Sequence, residues 1–279
     1  NIIQPERKKR SGRLREVFLE PPFTVLDSKT PSWQERKKKW KNLGISSEKG
    51  RKKGLTYNDC KMMQEHGGST STFDPVVCEL IYRWFCKDNG KILDPFAGGS
   101  VRGIVAAYLG YSYVGHELSQ HQVLANRIQA ESIELDKNPI WIIGDSNKTL
   151  NKTPFEDYDL IFSCPPYAFL EKYSDHPDDL SNMDYGSFLE IYEQIILKSC
   201  SKLKNGGFAC FVVGEVRDRE GNYIGFVPDT IRAFKKAGLS FYNEAILLTS
   251  FASAPARAEN NMKSKKLVKV HQNVLIFKK

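Results

Sequence analysis

A chain of 279 residues, 41% of them hydrophobic, is long enough for one large α/β domain or for a domain with an appendage, and it can bury a sizeable core. No apolar run reaches the length of a membrane span and no apolar signal segment follows the basic N-terminal residues, so a soluble, intracellular protein is expected. The net charge of +8 is concentrated, with 16 Lys or Arg against 7 Asp or Glu in residues 1–60, which points to a polyanion held by that segment through salt-sensitive phosphate contacts.

Residues 1–15 read as a flexible start with a basic run at Arg7–Arg10. Residues 21–30, PPFTVLDSKT, hold two prolines and a short apolar run. Pro31 precedes SWQERKKKWKNLG, which the pattern predicts as a short helix stopped by Gly44. Ser32 and Glu35 have the spacing of a capping box. Trp33, Lys37 and Trp40 share one side, so the tryptophans dock the helix while its lysines face solvent or phosphate. A further basic run stands at Arg51–Lys53. Residues 1–60 are therefore expected to be a partly ordered basic extension that contacts nucleic acid, with a solvated charged tail as the alternative. Residues 61–279 are expected to form the main domain.

Residues 44–72 read as irregular. Residues 73–86, FDPVVCELIYRWFC, form an amphipathic helix with Asp74 as cap and Pro75 in its first turn. Ile92 and Leu93 begin a buried strand, the loop Asp94–Gly99 follows, and Ser100–Leu109 reads as a helix. Strand, small-residue turn and helix make the ligand-binding end of an open α/β sheet, where glycines let backbone approach a ligand. The loop is neither the dinucleotide pattern GxGxxG nor a phosphate loop. Asp94 would repel a phosphate, so a cofactor bearing an amine or hydroxyls suits it better.

The next strand, Tyr113–Glu117, places Glu117 where an acid accepts both hydroxyls of a ribose; a surface helix cap is the alternative. A third strand, residues 139–143, ends beside Asp145, which is placed to accept from an adenine amine. A fourth, Tyr158–Phe162, runs into Ser163, Cys164, Pro165, Pro166 and Tyr167. Prolines cannot continue a central strand, so the chain leaves the sheet there in a nearly fixed conformation. Residues 168–186 read as a polar loop, 187–203 as a helix, 208–213 as a strand and 229–237 as a helix, with Glu215, Arg217 and Asp218 on a charged loop between the last two. A sixth strand at Asn243–Leu248, a long loop at 251–267 and a terminal strand at Val268–Phe277 complete an α/β three-layer fold with an open, mixed seven-stranded sheet. The six cysteines, Cys60, Cys78, Cys86, Cys164, Cys200 and Cys210, show no CxxC spacing and are expected to be reduced; no zinc or other metal site is expected.

The pair DPFAGGS and SCPPY on two strands of such a sheet resembles the S-adenosylmethionine-dependent amino-methyltransferases of DNA, which modify adenine N6 or cytosine N4, in a form similar to bacteriophage and bacterial methylases. The resemblance covers roughly residues 73–277. It implies a Rossmann-like methyltransferase fold, S-adenosyl-L-methionine as cofactor and duplex DNA as partner, without membrane or metal, and with monomer and homodimer both open. It implies that Asp94, Pro95, Phe96, Ala97 and Gly98 form the cofactor loop, that Glu117 holds the ribose, that Asp145 lies near the adenine, and that Phe73, Asp74 and Pro75 contact the methionine part. Pro165, Pro166 and Tyr167 match the catalytic loop, with Tyr167 stacking on an extruded base. The family has Asp, Asn or Ser before the prolines, whereas this chain has Cys164, a weak acceptor. Ser163 takes that role if the loop is displaced by one residue. Cytosine N4 is slightly favoured as target. Loops 168–186 and 251–267 are the further candidate DNA readers. An RNA or protein methyltransferase with the same cofactor site, and a catalytically weakened DNA-binding protein, stay open as alternatives.

Overall fold

The computed structural model describes residues 10–45, 73–166, 180–249 and 254–279. In chain order the main elements are α1 (Arg10–Phe18), β1 (Val25–Asp27), α2 (Pro31–Asn42), α3 (Pro75–Phe85), β2 (Lys91–Asp94), α4 (Val101–Tyr108), β3 (Ser112–Glu117), α5 (Gln120–Glu131), β4 (Ile140–Ile143), the short α6 (Ser146–Thr149), β5 (Tyr158–Ser163), α7 (Tyr185–Ser201), β6 (Leu203–Val213), α8 (Phe226–Lys236), β7 (Ser240–Leu248), α9 (Ala254–Lys263) and β8 (His271–Lys278). One sheet runs β1-β7-β8-β6-β5-β2-β3-β4. All neighbours are parallel except β8, which is antiparallel to both β6 and β7.

Continuous apolar runs build the centre of this sheet because both of its faces are covered. Ile92, Leu160 and Phe162 point into one core with Trp33, Trp40, Leu80 and Ile104. Leu93 and Ile161 point into the other with Phe188, Tyr192, Phe211 and Phe234. This alternation follows from the two-residue period of a strand. From β2 the chain crosses outward to β3 and β4, and from β5 it continues the other way to β6. The order therefore reverses between β2 and β5, the point at which open α/β sheets bind ligands at their carboxyl ends.

Eight strands form where seven were expected. The extra one is β1, paired in parallel with β7 from Val25↔Ile246 to Asp27↔Leu248. The flanking prolines and its three-residue length hide it from periodicity. Its backbone groups nevertheless satisfy the outer edge of β7, and the Ile246 amide donates to the Thr24 carbonyl at 2.7 Å. The expected loop 251–267 contains α9. The cap of α2 is Thr30, not Ser32, and no side chain bonds there. Pro31 fixes the first helical turn and holds Thr30 extended, which shifts the start two residues upstream.

The described part of the basic segment is packed into the domain. Trp33 and Trp40 are 1% and 5% exposed. Their indole N–H groups donate to Asp74 Oδ2 at 3.2 Å and Glu79 Oε2 at 2.8 Å. Lys37 and Arg36 pair with the same two acids at 2.9 and 2.8 Å. Lys38, Lys39 and Lys41 stay exposed. Among the described residues no helix is long and apolar enough to cross a membrane.

Candidate active site

The site begins at Asp94, the last residue of β2, which is fully buried. Its Oδ1 accepts from Ser163 Oγ at 2.5 Å and from the Phe96 amide at 3.1 Å. Its Oδ2 accepts from Arg102 Nε at 2.6 Å and from the Tyr113 hydroxyl at 2.7 Å. Arg102 Nη2 also donates to the carbonyls of Phe96 at 2.5 Å and Ala97 at 2.9 Å. The guanidinium lies 4.7 Å from the centre of the Phe73 ring. Burial works against the Arg102 charge, but Asp94 and Tyr113 outweigh it and raise its pKa, so the cation is firmly held. Burial, with the Asp94 charge beside it, pushes the Tyr113 phenol well above its ordinary range.

This buried network gives Asp94 a different position from the one its sequence context implied. It lies beneath the loop as its anchor, with four donors on its two oxygens, rather than presenting an open carboxylate to a ligand. Arg102 and Tyr113 were not legible as site residues. An arginine in the otherwise apolar helix VRGIVAAY was the available signal, because a buried cation requires a buried partner.

The loop above this anchor is shaped by two glycines. Gly98 has φ +54°, and among the described residues a Cβ there would meet no atom within 4 Å. A Cβ on Gly115 would lie 2.7 Å from both Ala97 Cβ and the Tyr113 hydroxyl, so only glycine lets the loop settle on β3. The half-buried Glu117, at the end of β3, accepts from the Gly98 amide at 2.9 Å and the Ser119 amide at 2.8 Å. Asn126 Nδ2 donates to the Gly98 carbonyl at 2.8 Å.

At the end of β4, Asp145 caps α6 through the Asn147 amide at 2.8 Å. The next residue, Ser146, donates to the Pro95 carbonyl at 2.5 Å and so ties the β4 end to the loop. Phe73 packs edge-on against Phe162 at 5.7 Å, Asp74 caps α3 through the Val76 amide, and Pro75 opens that helix. Phe96 packs against Tyr192 and Phe211.

Ser163 is fully buried and its hydroxyl is directed at Asp94. Cys164 is half-buried and not in a disulfide, Pro165 is buried and Pro166 is half-buried. Tyr167 lies outside the described residues, as do 168–179 and 251–253 of the candidate DNA-reading loops. His116 is buried with Nδ1 at 2.8 Å from Thr149 Oγ1; burial lowers its pKa to about 4, so the imidazole is neutral and serves packing. Glu215 accepts from the Gly225 amide at 3.2 Å and the Val227 amide at 2.8 Å, bracing the start of α8. Among the described residues no group of His, Cys, Asp and Glu is arranged to hold a metal ion.

No protein-family model matches the chain, and no curated protein matches it. Solved structures do. TrmN from Thermus thermophilus has a TM-score of 0.50 at 14% identity, covering 74% of this chain and 49% of that one. This chain thus spans about half the length of TrmN. A SAM-dependent methyltransferase from Methanosarcina mazei has a TM-score of 0.48 at 16% identity, covering 71% of this chain and 96% of that one. A TehB-like SAM-dependent methyltransferase from Corynebacterium glutamicum has a TM-score of 0.44 at 16% identity, covering 78% and 93%. At such identities the likeness is one of fold.

Proposed function

We propose, from the premise that the chain has the Rossmann-like fold of methyltransferases, that it transfers a methyl group from S-adenosyl-L-methionine to the exocyclic amine of a base in DNA, cytosine N4 slightly ahead of adenine N6. The observation that carries this reading is the 2.5 Å bond from Ser163 to Asp94. It fastens the DPFAGG loop to the SCPPY loop at the point where the strand order reverses. A donor on the first loop and an acceptor base against the second would therefore meet across one crevice.

The residues present fit the cofactor. Among the described residues nothing crowds Gly98, so a ligand could lie against its backbone, and Glu117 stands at the strand end that suits a ribose diol. When bound, the cofactor supplies an electrophilic methyl group. Phe73 and the backbone of 95–98 would line its methionine side, and Asp145 its adenine side.

The target amine is conjugated into its ring and is a poor nucleophile. The chain's part is to orient it, to accept one of its protons and to exclude water. Ser163 is fully buried, its hydroxyl donating to Asp94 and accepting from the Phe96 amide, so the acceptor role falls to the Pro165 carbonyl and the sulfur of Cys164. Tyr167 stacks on the extruded base. Loss of one base–aromatic stack costs about 1–3 kcal/mol, so Tyr167→Ala should lower kcat/KM on duplex DNA by about 10- to 100-fold. The deciding experiment incubates a mixed-sequence duplex with labelled cofactor, digests it to nucleosides and identifies the methylated base by mass. Label found only in RNA or protein would refute the DNA reading. The weak acceptor Cys164 favours one other reading, a catalytically weakened DNA-binding protein, which holds if cofactor and DNA bind but no methyl group is transferred.

A further inference from the structure

The segment after β6 is a small built hairpin, not a slack loop. Arg217 and Tyr223 pair as an antiparallel bridge. The Ile224 amide donates to the Val216 carbonyl at 3.0 Å and the Asp218 amide to the Asn222 carbonyl at 2.9 Å. Asp218 Oδ1 accepts from the amides of Gly221 at 2.7 Å and Asn222 at 2.8 Å. Glu215 pins the base of the hairpin to α8. On this frame the Arg217 guanidinium lies 4.0 Å from the centre of the Tyr223 ring, fixed by a bond to the Gly221 carbonyl at 2.5 Å. Lys269 Nζ, from the segment entering β8, lies 5.9 Å from the same ring. Tyr223 is 49% exposed.

Two cations thus share one exposed aromatic ring. Neither forms an ion pair among the described residues, and the nearby acid, Glu215, is committed to two amides. Burial depresses the Lys269 pKa; the Glu215 charge opposes this, and repulsion from Arg217 is the smaller, third cause. Two cations on one ring beside the single carboxylate Glu215 leave a local excess of positive charge, which a phosphate anion would stabilise. Lys263 and Lys265 are exposed just upstream, and Lys266 reaches the Glu220 carbonyl at 3.5 Å.

The placement is as telling as the charge. β5 and β6 are parallel neighbours with Ser163 beside Phe211, so the hairpin and the proline loop leave adjacent strands on the same sheet edge. β8 starts at that edge, with Asn273 opposite Val213. We propose that Arg217, Tyr223 and Lys269 form a platform for the phosphodiester backbone of the strand that carries the target base. This deepens the DNA reading above and rests on it: cofactor loop, proline loop and platform would follow one another along the edge.

The test is binding of a short fluorescent duplex across a salt series, alongside calorimetric titration with S-adenosylhomocysteine. Each phosphate contact contributes about 0.9 to the slope of log K against log salt. Lys269→Gln and Arg217→Gln should each lower the slope by about one, and the double variant by about two, with cofactor affinity unchanged. Lys269→Gln removes no backbone bond, so it keeps the test valid if Arg217→Gln loosens the hairpin. An unchanged slope in Lys269→Gln with cofactor affinity intact overturns the platform. So does a wild-type protein that binds no nucleic acid, whatever the product assay finds. If RNA but not duplex DNA binds, and Lys269→Gln lowers that slope, the platform stands and the DNA reading falls.

Discussion

At the scale of single residues, the candidate site is built on a buried ion pair. Arg102 is 5% exposed, neutralises Asp94 and fixes two loop carbonyls. Arg102→Met removes one partner of a buried pair and leaves the other uncompensated. It should cost about 3–5 kcal/mol in urea unfolding and abolish cofactor binding; full stability would show that Asp94 needs no cation. His116 gives a separate signature in pH. Its pKa is lowered by burial to about 4 in the folded chain, against roughly 6.5 when unfolded. Between those values the unfolded chain binds the proton and the folded chain does not. Its contribution is therefore fully present above about pH 6.5 and is lost as pH falls toward 4, amounting to about 3 kcal/mol. His116→Gln should flatten that part of the stability profile, measured from urea midpoints at successive pH values.

At the scale of elements, α2 shows how a basic helix becomes part of a core. Its tryptophans face α3 because the sequence spaces them seven apart, and the indole N–H groups find Asp74 and Glu79. Asp74 also caps α3, beside Phe73 on Arg102, so α2 supports the same corner that lines the crevice. Trp40→Phe keeps most of the packing but leaves Glu79 Oε2 without the indole donor. A loss of about 1–3 kcal/mol is expected in thermal or urea unfolding. An unaltered midpoint would mean that Arg36 alone satisfies Glu79. The tryptophan spacing was legible in the sequence, but their acidic partners, some forty residues away, were not.

At the scale of the whole molecule, residues 10–45, the described part of the positive N-terminal segment, are continuous with the sheet they precede. β1 extends the sheet beyond β7, and Leu26, Trp33 and Trp40 belong to the same core as Ile92 and Phe162. Removing residues 1–45 should therefore expose the outer face of α3 and cost more than loss of either tryptophan alone, roughly 3–5 kcal/mol each. The expected outcome is an aggregating product without a cooperative unfolding transition. A truncated chain that unfolds cooperatively near the full-length midpoint would show the segment to be an appendage. The sheet also sets the direction of the site, since β2, β3, β4, β5 and β6 all end at one edge.

What the sequence determined by itself was local: the strand–loop–helix at Asp94, the acids at successive strand ends, the proline exit after Ser163 and the docking stripe of α2. Each rests on periodicity, capping or the missing amide of proline, and those act over a few residues. Only the tertiary structure decided that Asp94 anchors the loop, that Ser163 is spent on it, and that Arg102 and Tyr113 are its partners. Those contacts span up to 69 residues and depend on which strands become neighbours. Burial then makes each of them necessary, since a carboxylate removed from water must find donors wherever the fold provides them.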